Sequence, residues 1–226
     1  MIEAGARHEL RQQLLAELAR VNRALAAPAR LELLELLAQA ERSVEVLAEL
    51  AGLTVANTSQ HLRVLRHCGL VVSRRDGQFV RYRLPGLEPL RLLTALHDIA
   101  VHSSPALGRL LAEQRRHVDS LEPLSAAELH ERHRDGAVVV VDVRPAEEYA
   151  AGHISDAINM PLPHLVELAP QLPVDREIVA YCRGVLSVMS IEAVSRLRAT
   201  GRAARRLAYG FPEWRMAGLP VSRLAH

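Results

Sequence analysis

The sequence predicts two unlike domains, an all-α domain carrying one β-hairpin over residues 1–120 and an α/β domain with a largely parallel sheet over 121–226. Apolar residues recur at three- and four-residue spacing through the first half, the mark of helices with one buried face. That pattern is interrupted by two short β-rich runs around Asp76-Gly77. In the second half, continuous β-branched runs alternate with helical segments, as they do where helices cover both faces of a parallel sheet. At 226 residues the chain has the length of two ordinary domains, each able to hold its own core.

Taken in order, Leu10, Leu14, Leu18, Val21 and Leu25 line one face of a first helix over 8–25. Pro28 suits the first turn of the next helix, ARLELLELLAQA (29–40). Ser43 is placed to cap a short helix that Gly52 ends, and Thr54 to cap VANTSQHLRVLRHCG (55–69), which Gly69 ends. The runs LVVSRR and FVRYRL around Asp-Gly then predict a hairpin. From Leu87 to Ser120 the chain is helical again, broken near Ser103-Ser104-Pro105. The domain boundary is expected near 118–125, where Pro123 and Ser125 open a new helix, SAAELHERHRDG (125–136). Buried-type strands follow at AVVVVDVR (137–144) and REIVAYC (176–182), a helix at 187–201, and a third strand at ARRLAYG (204–210).

With 49% hydrophobic and 24% charged residues, the composition is that of a folded chain rather than a disordered one. No apolar run reaches the roughly 20 residues that a membrane-spanning helix needs, so no membrane partner is expected. The N-terminus, MIEAGARHELRQQLL, lacks a basic-then-apolar signal layout, and two cysteines, Cys68 and Cys182, fit a reducing compartment, which together predict a cytoplasmic protein. Net charge is only +2, but its distribution is uneven: residues 54–83 hold Arg63, Arg66, Arg74, Arg75, Arg81 and Arg83 against one acid, Asp76. Positive charge gathered on one stretch points to a polyanionic partner.

Helix, short turn, second helix and hairpin at 43–84 form the layout of a winged helix-turn-helix. The second helix opens with small or polar residues, Thr54, Asn57, Thr58, Ser59, Gln60 and His61, which suit base edges and phosphates in a major groove. Leu62 and Leu65 anchor its other face, while Arg63, Arg66, Arg74, Arg75 and Arg81 are candidates for phosphate contacts. The plainer reading of any one of these residues is a solvated helix face or an ordinary charged hairpin.

Residues 26–84 resemble the ArsR-type bacterial repressors through P-x-R-L-x-L-L, S-Q-H-L-x-x-L and G-L-V-x-x-R-R-x-G-x-x-x-x-Y-x-L. The resemblance implies a homodimer, paired through the first and last helices of this half, that binds double-stranded operator DNA and leaves it on a signal. Metal-sensing members carry clustered cysteines on the helix that here reads Val44, Glu45, Val46, Leu47, so that thiolate site is not expected. A second family site uses Asp and His on the last helix. His97, Asp98, His102 and His117 lie there, but not at the family's spacing, and plain packing or surface roles suit them equally.

In the second half, Cys182 ends a strand and CRGVLS leads straight into a helix. Such a turn directs backbone N–H groups and the positive helix end at the sulfur, with Arg183 as a nearby cation and Gly184 allowing a tight path. A thiolate there is a nucleophile, and the same cradle suits an anion. An inert, buried structural cysteine is the alternative.

Residues 125–220 resemble a single rhodanese domain: VVVVDVRPAEEYAAGHISDAINMPL matches its entry motif, AYCRGVLS its active loop and GFPEWRMAGLPV its closing segment. The resemblance implies that Cys182 accepts sulfane sulfur from a small donor, a persulfide or thiosulfate, with Arg183 to Ser187 as its cradle. Asp142 and Arg144 would order the site, or serve simply as a fold-maintaining ion pair. Rhodanese domains fused to ArsR-type repressors often carry a second cysteine where Ser187 stands; serine cannot close a disulfide and would at most cap the following helix.

The leading expectation is therefore a DNA-binding repressor whose rhodanese domain senses or carries reactive sulfur on Cys182, with no cofactor and no bound metal. A sulfurtransferase whose helical half serves dimerisation is the rival, and a metal- or metalloid-responsive repressor the weaker third.

Overall fold

A computed structural model describes residues 2–115, 123–184 and 187–224. The chain divides into two compact units, Met1–Pro89 and Leu90–His226, each described separately below. The expected boundary at 118–125 falls mainly on residues outside the described set.

The first unit runs α1 (Ile2–Leu25), α2 (Pro28–Gln39), β1 (Arg42–Ser43), α3 (Val44–Leu50), α4 (Val55–His67), β2 (Val72–Asp76) and β3 (Phe79–Arg83). Both expected caps form: Ser43 Oγ accepts from Val46 N–H at 3.4 Å, and Thr54 Oγ1 from Asn57 N–H at 3.2 Å. Gly77, at φ 60°, supplies the left-handed turn between β2 and β3 that a side chain would strain. The strand order is β1-β3-β2, so the hairpin gains a third, two-residue strand that the sequence did not reveal. Leu33, Leu34, Leu47, Leu62 and Leu65, drawn from α2, α3 and α4, are fully buried and form the unit's core. By contrast Leu10, Leu14, Leu15 and Leu18 on α1 stay 46–67% exposed in the single chain.

Two helices follow, α5 (Glu88–Ser103) and α6 (Pro105–Arg115), with the break where Ser104-Pro105 predicts it. The rest of the second unit is α7 (Ala126–Arg134), β4 (Val138–Asp142), α8 (Ala146–Ala151), β5 (His153–Ile154), β6 (Ile158–Asn159), α9 (Leu165–Leu168), β7 (Glu177–Tyr181), α10 (Met189–Ala199), β8 (Ala204–Arg206), α11 (Phe211–Met216) and β9 (Val221–Ser222). Ser125 and Glu128 close a reciprocal capping box at the start of α7. The main sheet, in order β6-β4-β7-β8, is parallel throughout, with Val138 to Asp142 paired against Glu177 to Tyr181. Alternate residues of β4 feed opposite cores. Val139 and Val141 join Met160, Ile178, Cys182 and Val194 on one face, and Val138 and Val140 join Leu129, Tyr181, Phe211 and Trp214 on the other. A strand buried on both faces needs apolar side chains toward both cores, which is why Val138 to Val141 show no polar alternation; only the last residue, Asp142, is polar, and it is paired with Arg144.

The reading of Ser187 as a helix cap is corrected here. Helix α10 starts at Met189 with Val188 as its cap residue and no side-chain capping bond, one residue beyond the reach of Ser187.

Candidate functional site

Two sites emerge, one in each unit. In the first, α4 exposes Asn57, Gln60 and Arg63, with Ser59 and His61 half-buried beside them and Thr54 exposed at the cap. Thr58 departs from expectation. It is 0% exposed, sharing the inward face with Leu62 and Leu65 at four- and seven-residue spacing, and is therefore withdrawn from any groove.

Of the wing arginines, Arg74 and Arg75 are exposed and Arg81 is half-buried, and all three are engaged. Arg74 Nε lies 2.6 Å from Glu41 Oε1, and Arg81 Nε donates to Asp76 Oδ2 at 2.6 Å, with Arg74 Nη1 3.8 Å from the other oxygen of Asp76. Arg75 Nε donates to Gly77 O at 3.2 Å, and Arg66 Nη1 reaches Ser73 Oγ at 3.3 Å, tying α4 to the wing. Glu41, just before β1, had no signal in the sequence, because its partner lies 33 positions on and meets it only in the folded sheet. On α1, Arg20 Nη1 donates to the His67 carbonyl at the end of α4 (3.0 Å), placing a cation at the negative helix end.

The second site is built on the ends of β4 and β7. Cys182 directly follows β7 and is only 1% exposed. Its described sulfur contacts are two carbonyl oxygens, Ser187 O at 3.8 Å and Gly184 O at 4.0 Å. Two features hold the loop. Phe211 N–H donates to Cys182 O at 3.1 Å, and Gly210 lies so close that a Cβ there would stand 2.4–2.6 Å from Gly184 N, Cys182 O and Arg183 C. Gly184 itself has φ 156°, a conformation that side chains rarely adopt. The contact that Gly210 makes could not be read from local sequence, since the crowding is with a loop 26 residues earlier.

Arg183 is engaged by an acid. Its Nε and Nη2 grip the fully buried carboxylate of Glu148 on α8, at 3.0 and 2.6 Å to Oε1. Behind it, Asp142 and Arg144 are both 0% exposed, Arg144 donating through Nε (3.0 Å) and Nη2 (2.6 Å) to Asp142 and through Nη2 to Gly152 O (2.8 Å). Tyr181 O–H donates to Asp142 Oδ2 at 2.5 Å and accepts from Ile154 N–H at 3.1 Å, fixing the ends of both strands. Burial works against the charge on Arg144, yet the hydrogen bonds and charge of Asp142 outweigh it and raise its pKa. Burial, then the Asp142 carboxylate, also pushes the Tyr181 phenol up, keeping it protonated as a donor.

Among the described residues no group of three or more His, Cys, Asp or Glu is placed to hold a metal ion. His102 Nδ1 is spent on Asp98 O of its own helix at 2.6 Å, and His117 lies outside the described residues.

Comparison with known proteins bears on both halves. The model of the bacterial regulatory protein arsR family matches residues 27–73, and that of the rhodanese-like domain matches 125–217. The HTH-type transcriptional regulator Rv0324 of Mycobacterium tuberculosis is 43% identical over 216 residues, covering 92% of this chain and 91% of its own. Among solved structures, the homodimeric winged helix-turn-helix DNA-binding domain of Mb0332 from Mycobacterium bovis aligns at 40% identity and TM-score 0.39, over 41% of this chain and 86% of that one. A rhodanese-related protein from Thermoplasma volcanium aligns at 29% identity and TM-score 0.41, over 45% of this chain and 98% of that one.

Proposed function

The chain belongs to the HTH-type transcriptional regulators of the arsR family, with a rhodanese-like domain as its second half, and from that premise we propose that it is a homodimeric repressor whose hold on DNA is set by sulfur carried on Cys182. The observation that carries this reading is the loop around Cys182. A thiol in a DNA-binding chain sits at a strand-to-helix turn whose backbone is fixed by Gly210 and Phe211 on one side and by the Arg183–Glu148 pair on the other.

The chemistry needs no outside oxidant. The Cys182 thiolate attacks the outer sulfur of a donor persulfide; the new S–S bond forms as the donor's S–S bond breaks, and the donor leaves as a thiolate. With thiosulfate the leaving group is sulfite. Arg183, engaged by Glu148, positions the loop, and Asp142, Arg144 and Tyr181 hold the strand ends from which it springs.

On DNA, Gln60 and Asn57 read base edges while Ser59, His61 and Thr54 lie close enough along α4 to share base or phosphate contacts. Arg63, Arg74, Arg75 and Arg81 act on phosphates. The exposed leucines of α1 supply an apolar face for a second copy, as a two-fold operator requires.

A sulfurtransferase reading draws on the same described residues around Cys182, and separates from the first by turnover. A sensor loads once and changes DNA affinity; an enzyme converts thiosulfate and cyanide repeatedly, and loses that in Cys182→Ala. The test is intact-mass spectrometry after persulfide treatment, read beside binding to a duplex from the gene's own upstream region. Loading at Cys182 with weaker binding supports the regulator; loading with turnover and unchanged binding supports the enzyme.

A further inference from the structure

The short helix α11 brings a carboxylate to the Cys182 loop as well as the backbone of Gly210 and Phe211. Glu213, half-buried in α11, accepts the Gly210 N–H through Oε2 at 2.9 Å. By itself that bond is a cap on the helix, a glutamate in the first turn reaching back to the residue before it. The same carboxylate also faces a second element. A Cβ on Gly184 would stand 3.5 Å from Glu213 Oε1 and 3.8 Å from Oε2, although Gly184 lies 29 positions earlier in the chain. A helix cap has no need of that approach.

Gly184 is the residue on which the sulfur's surroundings turn. Its carbonyl oxygen accepts Ser187 N–H at 3.0 Å and is also one of the two described contacts of the Cys182 sulfur, at 4.0 Å. The Gly184 nitrogen abuts Gly210, and Phe211 N–H holds Cys182 O at 3.1 Å. The strip from Cys182 to Gly184 is thus backed by the start of α11, and Glu213 binds the backbone that presses on it. Moving that strip moves the sulfur, and a misplacement of about 1 Å at a reacting atom can cost about a hundredfold in rate.

We propose that Glu213 is a positioning residue for sulfur loading at Cys182, holding Gly210 and Gly184 in the register that keeps the thiol aligned for attack. The role rests on the reading of Cys182 as a sulfur carrier. Loading forms an S–S bond on Cys182 as the donor's S–S bond breaks and the donor leaves as a thiolate. Glu213 takes no part in the bonds exchanged. Its carboxylate supplies a charged acceptor, which binds a backbone N–H more strongly than a neutral one does.

The test compares full-length wild type, Glu213→Ala and Glu213→Gln, with Cys182→Ala marking any uptake at other positions. Glutathione persulfide is the donor, and loading is followed by intact mass; a parallel series with iodoacetamide reports how open the thiol is. Glu213→Ala should load about tenfold more slowly than wild type yet alkylate about threefold faster, because a loosened loop exposes its thiol while losing alignment. Glu213→Gln keeps an acceptor oxygen at the same reach and should load within about threefold of wild type. That rescue separates positioning from plain loss of fold. Should Glu213→Ala fail to fold, Glu213→Asp, one methylene shorter with the same charge, replaces it and should load more slowly than Glu213→Gln. Equal loading by wild type and Glu213→Ala, or loading by Glu213→Gln as slow as by Glu213→Ala, overturns the proposal and leaves the sulfur-carrier reading standing. Wild type that takes up no sulfur at Cys182 overturns that reading, and this role with it.

Discussion

The wing and the Cys182 site both rest on arginine–carboxylate pairs, but the two sets live in opposite surroundings. On the wing, Arg74 and Arg81 share Asp76 and Glu41 at the surface, where an ion pair is worth little and competes with water and salt. Around the Cys182 loop, Arg144 with Asp142 is wholly shut off from solvent, and Arg183 reaches down to a buried Glu148. An exposed pair is exchangeable, so a phosphate can take the place of its carboxylate at small cost. A buried pair is not, because removing one member strands the other's charge. On the proposed reading, the same chemistry would serve exchange in one half and fixed geometry in the other.

Arg144→Met should break that contrast most severely. It leaves Asp142 buried without its partner and should cost about 3–5 kcal/mol of stability, seen as a lower unfolding midpoint in denaturant. Replacing Asp142 and Arg144 together by apolar residues should recover much of the loss; no recovery would mean that the pair does more than neutralise charge.

Next in size, Gln60→Ala should cost roughly 1–3 kcal/mol on the preferred duplex and nothing on random sequence. Equal losses on both would remove Gln60 from the reading set. Arg75→Ala should weaken binding to every duplex alike and flatten the salt slope by about one unit.

Glu148→Gln leaves behind a partly exposed Arg183, so its cost to stability should be small, about 1 kcal/mol. Its larger effect should be on the loop, with Cys182 alkylated faster than in wild type as the backbone loosens. Unchanged alkylation would show that Phe211 and Gly210 hold the loop without it.

Smallest, and of opposite sign, is Asp76→Asn. Freeing Arg81 for phosphate, while Arg74 keeps Glu41, should strengthen non-specific DNA binding by about twofold to threefold at low salt, with the gain fading as salt rises.

Features set by local chemistry were readable from sequence. Ser43, Thr54 and Ser125 cap the helices they precede, Pro28 opens α2, and the uninterrupted valines of β4 lie between two cores. Features set by distant contacts were not. Strands β1, β5, β6 and β9 have two residues each, too few to show a period, and exist only through their pairing partners. Arg183 reads locally as a cation beside the sulfur, whereas its partner, Glu148, lies 35 positions earlier. Thr58 is the instructive case. Its type suits a groove, but its spacing from Leu62 and Leu65 places it inside, and spacing decides. Gly210 was visible only as part of the closing segment, its purpose being a contact with backbone that the chain brings in from elsewhere.

The central claim, that sulfur on Cys182 governs the hold on DNA, is tested most directly by fluorescence anisotropy on the upstream duplex. Wild type and Cys182→Ala are each measured with and without persulfide, at one salt concentration. A tenfold weakening in wild type, which needs only about 1.4 kcal/mol of coupling, with no change in Cys182→Ala, is the predicted result. Equal weakening of both proteins, or no weakening of a wild type whose Cys182 is shown by mass to be loaded, contradicts it.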